Sequence, residues 1–287
     1  MSQEFAPEVR ETLDWIASEL PEDLRNDSFA RNYYKHCCNL TDALKALGDT
    51  KGNVLDIGSG IGVFPAAMTR LAQTVTSLDI ATNNQRWIRA HGVEVATSDI
   101  LSKPLPFRGA SFDLVTMFDA IEHLHGSPRY ALGEIFRVLR PGGHIIIETP
   151  NIANLRRRIV LLMGKNPMSV KYFYESSYPY SGHVYEYTKS DLENTIRWSG
   201  FEIAESRYAN VLNRFHKTEK GYSAGMKARS LKDAAMFAYL AICKVVPPFK
   251  EVLICTGRRP LDEEIMPESE WLRREEFFST PAGDRSS

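Results

Sequence analysis

The chain has 287 residues, 43% hydrophobic and 25% charged, the balance of an ordinary soluble globule. That excludes a disordered, collagenous or fibrous chain and allows a sizeable core without staples. Thirty-five basic and 36 acidic residues leave a formal net charge of -1, so no global basic field exists to hold nucleic acid.

The opening MSQEFAPEVRETLDW is acidic and has no apolar core of the secretory kind, so no secretory signal is expected. Val9, Leu13, Ile16, Ala17 and Leu20 recur at helical spacing behind Pro7, and a second helical run covers about 27–47 before Gly48. Then the period changes. Strand patterns are expected at 53–57, 74–80, 93–97, 111–118 and 144–149, with helices at 63–71, 83–91 and 129–139. Pro141-Gly-Gly143 reads as a turn between the last helix and strand.

Strands alternating with helices imply a doubly wound α/β fold, a mostly parallel sheet with helices on both faces. After Pro150 the alternation breaks. A basic segment, then an aromatic one at 172–187, precede a helix at 188–199, a strand at 201–206 and a late strand at about 251–257. This organisation divides the chain into an N-terminal helical segment (1–48) and a main domain (49–260). The main domain has a core at 52–150 and covering insertions at 151–187 and 209–248. A charged tail with Pro267 and Pro281, 261–287, is expected to be mobile. The longest apolar stretch, 234–243, is too short to span a bilayer, and the run at 236–246 overlaps it. Its apolar residues surround the axis, which favours a buried helix over one lying on a membrane surface. Cys37, Cys38, Cys243 and Cys255 show neither CxxC nor zinc spacing. Reduced thiols in a cytoplasmic protein, with peripheral membrane contact as the alternative, are the simplest reading.

Val54-Leu-Asp-Ile-Gly-Ser-Gly-Ile-Gly62 carries the strongest chemical signal. Glycines at the carboxyl end of a first strand let backbone approach a ligand, and the following helix N-terminus favours an anionic group. Asp79 ends the next strand, where a carboxylate can accept bonds from ribose hydroxyls. The spacing is GxGxG, not the dinucleotide GxGxxG, and Asp56 stands two residues before the first glycine. A carboxylate there suits an ammonium or sulfonium better than a pyrophosphate. A nicotinamide-dependent oxidoreductase is therefore the weaker alternative, as is a non-catalytic cofactor-binding subunit.

VLDIGSGIG, SLDI, TSDILSKPLPF, FDLVTMFDAIEHL and GEIFRVLRPGGHIIIETPN, in that order, resemble the motif series of class I S-adenosylmethionine-dependent methyltransferases. The resemblance implies a seven-stranded sheet whose last strand is antiparallel. It implies that Asp56, Gly58, Ser59 and Gly60 hold the methionine moiety, and that Asp79 binds the ribose. By the same resemblance Ile80 lies against adenine, Asp99 reaches its amino group beside Ile100, and Phe118 flanks the methionyl end.

Asp119-Ala-Ile-Glu-His123 follows the fourth strand, and one helical turn would put Asp119 and Glu122 on one face. The pattern resembles the ExxEH element of ubiquinone-pathway and small-RNA O-methyltransferases, where it binds a divalent metal such as Mg²⁺. Asp119 departs from that pattern, and His183 is the matching later histidine. Asp119, Glu122, His123 and His183 are therefore the candidate metal ligands. His123 acting as a metal-free base with Glu122 is the alternative. The PNxxNLR, GHxxEYT and GRRP segments are similar to glycan-related methyltransferases. A small-molecule acceptor follows, a hydroxyl of a sugar, lipid-linked saccharide, phenol or quinone, with no nucleic-acid partner. The oligomeric state stays open.

Overall fold

In a computed structural model the chain is described over residues 5–22, 27–80, 85–168, 174–175, 182–210, 238–239 and 241–261. The expected tail beyond its first residue, most of the second insertion and half of the aromatic segment lie outside the described residues.

The strands are β1 (Asn53–Ile57), β2 (Thr74–Asp79), β3 (Glu94–Thr97), β4 (Phe112–Phe118), β5 (Leu139–Pro150), β6 (Glu202–Ala209) and β7 (Val252–Arg258). The helices are α1 (Pro7–Glu19), α2 (Asp27–Leu47), α3 (Val63–Met68), α4 (Gln85–Ala90), α5 (Arg129–Val138), α6 (Leu155–Leu162) and α7 (Lys189–Trp198). The seven strands form one sheet in the order β3-β2-β1-β4-β5-β7-β6. Strands β1 to β5 pair in parallel, and β7 runs antiparallel to both β5 and β6. The strand order reverses between β1 and β4, which leaves a crevice at their carboxyl ends, the ordinary ligand position in open α/β sheets.

Burial on both faces explains why the strands read as continuous apolar runs. Adjacent strand residues serve opposite layers. Val54, Leu114 and Ile146 pack with α1 and α2 side chains such as Leu13, Ile16 and Leu40. Leu55, Val115, Ile145 and Ile147 pack with Leu132, Ile135, Leu192 and Ile196 of α5 and α7. The N-terminal helices thus build one of the two core layers together with α3, whose Val63, Phe64, Ala66, Ala67 and Met68 join the same cluster.

Three local expectations are corrected. Pro141-Gly-Gly143 is not a separate turn: β5 begins at Leu139, and the register jumps from Phe112↔Leu139 to Leu114↔His144. The glycines form a bulge, Gly142 at φ +80°, pinned by the Gly142 N–H donating to the Arg259 carbonyl at 2.9 Å. Asp119 and Glu122 do not share a helical face. Asp119 sits at φ +50°, and only Ile121–His123 forms a 3-10 turn. The run at 236–246 is not a buried helix where it is described. Residues 241–245 are helical, and Cys243 is buried, but Ile242 and Val245 are 43% and 80% exposed.

Candidate functional site

The glycine loop after β1 is held by backbone sterics. Gly58, Gly60 and Gly62 have φ of +78°, +54° and +82°, values that β-carbons resist. A Cβ on Gly58 would come within 2.7 Å of Ala120, and one on Gly62 within 2.1 Å of Ile88. Ser59 Oγ accepts from Ser77 at 2.8 Å. The Gly60 N–H donates to Asp79 at 3.2 Å. The loop after β1 and the acidic end of β2 therefore form one constellation, as the sequence spacing implied, and Gly58 abuts the turn that carries Glu122 and His123.

Asp56 is 3% exposed. Its Oδ1 accepts from Thr116 Oγ1 at 2.7 Å. Burial pushes its carboxyl up to about 6, against the hydroxyls of Thr116 and Ser59, which favour ionisation, and with added repulsion from Asp79. A buried carboxylate in this setting is poised for a ligand that brings positive charge. Ile80, 70% exposed, offers an apolar face just past Asp79. Asp99 accepts from the Leu101 N–H at 3.0 Å and Ser102 Oγ at 2.6 Å, which hold its carboxyl below the usual carboxylate range. Ile100 is buried. Phe118 stands edge-on to Phe64 with ring centres 4.9 Å apart. The buried Asp56 carboxylate and the glycine cradle would suit the methionine portion of S-adenosylmethionine, Asp79 its ribose and the exposed Ile80 face its adenine.

Beyond β4 and β5 lies a cavity of about 320 Å³ whose lining includes Lys35, Asp119, Glu122, His123, Arg156 and His183. Ligand atoms of Glu122, His123 and His183 lie within 4.8 Å of one another. Glu122 is fully buried. Its Oε2 accepts from Thr149 Oγ1 at 2.9 Å, while its Oε1 has no hydrogen-bond partner among the described residues. Burial, and then the nearby Asp119, push its carboxyl up to about 8. His183 Nδ1 donates to Glu186 at 2.5 Å, and Glu186 accepts from Arg157 Nη2 at 2.6 Å. His123 Nδ1 faces the Gly182 carbonyl at 3.2 Å. A carbonyl only accepts, so in the neutral ring Nδ1 carries the proton and Nε2 the lone pair. Two such imidazoles and an unsatisfied carboxylate oxygen are a donor set that fits a divalent cation. The loop carrying His183 is docked by backbone: the Val184 and Tyr185 N–H groups donate to the Glu122 carbonyl at 2.7 and 3.3 Å.

Asp119 is not in that cluster. Its carboxylate pairs with Lys35 of α2, a residue without a motif to mark it. Lys35 also contacts Glu148 Oε1 at 2.7 Å. Asn39, oriented with its amide nitrogen toward the acid, donates to Glu148 Oε2 at 2.9 Å. Burial would lower the Lys35 ammonium, but Glu148 and Asp119 more than reverse it and hold it charged. The one legible signal was positional: Lys35, Cys38, Asn39 and Asp42 share a helical stripe that turns inward.

Residues 29–206 match the family model described as a methyltransferase domain. The chain belongs to this family. A probable S-adenosylmethionine-dependent methyltransferase of Mycolicibacterium smegmatis is 26% identical over 81% of this chain and 76% of its own. A ubiquinone biosynthesis O-methyltransferase of Cupriavidus pinatubonensis is 30% identical over 58% of this chain and 66% of its own. The solved structure of a methyltransferase of Thermotoga maritima, described as a possible histamine N-methyltransferase, superposes with a TM-score of 0.52. It is 17% identical and covers 85% of this chain and 99% of its own, a likeness of fold alone. This methyltransferase thus uses S-adenosylmethionine, on a seven-stranded sheet as the sequence implied.

Several motif residues of this methyltransferase are structural. Asn151 Nδ2 donates to the Pro248 and Lys250 carbonyls at 2.9 and 2.8 Å, and Asn154 caps α6 through the Arg157 N–H at 3.0 Å. Arg259 of the GRRP segment donates to the carbonyls of Phe136 and Leu139 at 2.9 and 2.7 Å and lies over the Phe136 ring. From the aromatic segment, Tyr187 joins the core, while Tyr174 and Tyr185 are exposed.

Proposed function

We propose that this methyltransferase moves a methyl group to a hydroxyl of a small ring-bearing acceptor, a phenol, quinol or sugar, held in the cavity beside Glu122, His123 and His183. The single observation that carries this reading is the convergence of two oriented imidazoles on a buried carboxylate oxygen that lacks a partner. The name of the Cupriavidus pinatubonensis relative favours an oxygen acceptor. The cavity, about 320 Å³, suits one ring with its substituents.

S-adenosylmethionine supplies an activated methyl group on a sulfonium, so the protein's task is alignment and exclusion of water. The glycine loop and Asp56 would hold its charged methionine end, and Asp79 its ribose. Glu122, His123 and His183 would hold a divalent cation, whose chemistry is to lower the pKa of a hydroxyl. Glu186 and Arg157 keep the His183 ring in one orientation, and Thr149 does the same for Glu122.

The test is S-adenosylhomocysteine release from a catechol-type phenol and from a sugar acceptor, with and without exhaustive chelation. Activity on one of them that falls on chelation, returns with Mg²⁺ or Mn²⁺, and is lost in His183→Ala is the expected result. Activity that survives chelation would remove the metal. Activity that survives His123→Ala within a few-fold would remove both catalytic roles of that histidine.

A further inference from the structure

Helix α6 has no buried residue at all. Ile159, Leu161, Leu162 and Met163 are 45%, 57%, 87% and 57% exposed. Arg156, Arg158 and Lys165 on the same segment are exposed too. Beside it runs the second solvent-facing apolar stretch, 241–249. The two are joined by packing of α6 on the 3-10 turn Pro247–Phe249 and by Arg158 lying 5.6 Å over the Phe249 ring. Ile242, Lys244 and Val245 are exposed there.

Charge separates this surface from the rest of the chain. The molecule as a whole is nearly neutral at -1, yet residues 152–168 carry four cations and no acid, three of them exposed and the fourth, Arg157, paired with Glu186, and residues 241–250 two cations and no acid. Exposed long apolar side chains set among the exposed cations Arg156, Arg158, Lys165 and Lys244 fit the interface of an anionic bilayer, where the apolar groups enter the headgroup boundary and the cations meet phosphates. A water-facing helix would gain nothing from Leu161, Leu162 and Met163 in a row. The patch also borders the cavity, whose lining takes Asn154, Arg156 and Arg157 from the start of α6 and Glu251 and Val252 from just past the turn. No described helix is long and apolar enough to cross a membrane, so the contact would be peripheral.

We infer that α6 and residues 241–249 form a surface that docks on anionic phospholipid bilayers and brings the cavity mouth to the lipid boundary. The inference stands on exposure and charge and does not rest on the acceptor or the metal.

The experiment is co-sedimentation of the full chain with vesicles of phosphatidylcholine alone or mixed with phosphatidylglycerol. Pelleting is expected with the mixed vesicles only, and is expected to fall as salt is raised. Leu161→Asp/Leu162→Asp and, separately, Lys165→Glu/Lys244→Glu should each weaken it by roughly tenfold or more. A thermal shift with S-adenosylhomocysteine should be unchanged in both variants, which shows that they fold. Absence of pelleting for the wild type overturns the inference. So does pelleting on neutral vesicles that is equally strong, or pelleting that neither variant reduces. A dimer by sedimentation velocity that Leu162→Asp alone converts to a monomer would assign the face to a second copy instead, and would also overturn it.

Discussion

Asp56 trades stability for ligand charge. Its carboxyl is pushed from 3.8 to about 6 by burial. Between those values the native state keeps a proton that the unfolded chain has released, so stability falls as pH rises through this window. Above it the ionised group costs on the order of 3 kcal/mol in the empty protein. Asp56→Asn, which can still accept from Thr116, should therefore melt higher than wild type at neutral pH and lose the pH slope between about 4 and 6. It should also bind S-adenosylhomocysteine at least tenfold more weakly, because a hydrogen bond to charge is lost. Calorimetric titration at pH 7.5 and differential scanning across pH check both arms. Wild-type affinity should fall below about pH 6 as Asp56 protonates, and the variant should lack that fall.

Lys35 makes a different trade at the same scale. Its ammonium compensates Glu148, which is fully buried. Lys35→Met leaves that carboxylate alone, and about 3 kcal/mol of stability should be lost by urea titration. Adding Glu148→Gln should recover more than half of it, since a neutral amide needs no counter-ion.

At the scale of elements, α7 starts with a complete capping box: Thr188 Oγ1 accepts from the Asp191 N–H, and the Asp191 carboxylate accepts from the Thr188 N–H. Thr188→Ala should cost about 1 kcal/mol, read from the shift of the urea midpoint. The turn from β1 into α3 is less forgiving. Gly62→Ala adds a Cβ at φ +82° with Ile88 only 2.1 Å away. It should displace α4 and abolish the thermal shift with S-adenosylhomocysteine, while Gly92→Ala, also at φ +82° but with nothing within 4 Å, should keep it. Helix α2 is the element whose role its own sequence understated. Its polar inner stripe is tied to the sheet by Lys35–Glu148 and by Asp42–Arg207, the latter at 2.5 Å.

At the scale of the whole molecule, α1 and α2 are part of the fold rather than an appendage. Val9, Leu13, Ile16, Leu40 and Ala43 are completely buried in one cluster with Val54, Leu114 and Ile146. Deleting residues 1–48 would strip the α1 and α2 side chains from this cluster and leave its α3 side and the β4 and β5 residues uncovered. The truncated chain should give no cooperative melt and no S-adenosylhomocysteine binding by calorimetry.

The alternation of strands and helices, the positive-φ glycines after β1 and the acidic end of β2 were all legible in the chain. Each depends on neighbours a few residues apart, where sterics and hydrogen-bond period act without help. The bulge at Gly142 was not, because it depends on Arg259 pairing across from another strand. Nor was the pairing of Asp119 with a lysine 84 residues earlier, which exists only because α2 docks its inner stripe on β4 and β5. The asparagines of PNxxNLR and Arg259 of GRRP carried only a resemblance in one dimension. In three they satisfy carbonyls that folding would otherwise bury unpaired. Local backbone preference determined the sheet and the cofactor loop; long-range packing decided which charged side chains were spent on the fold and which were left for the cavity.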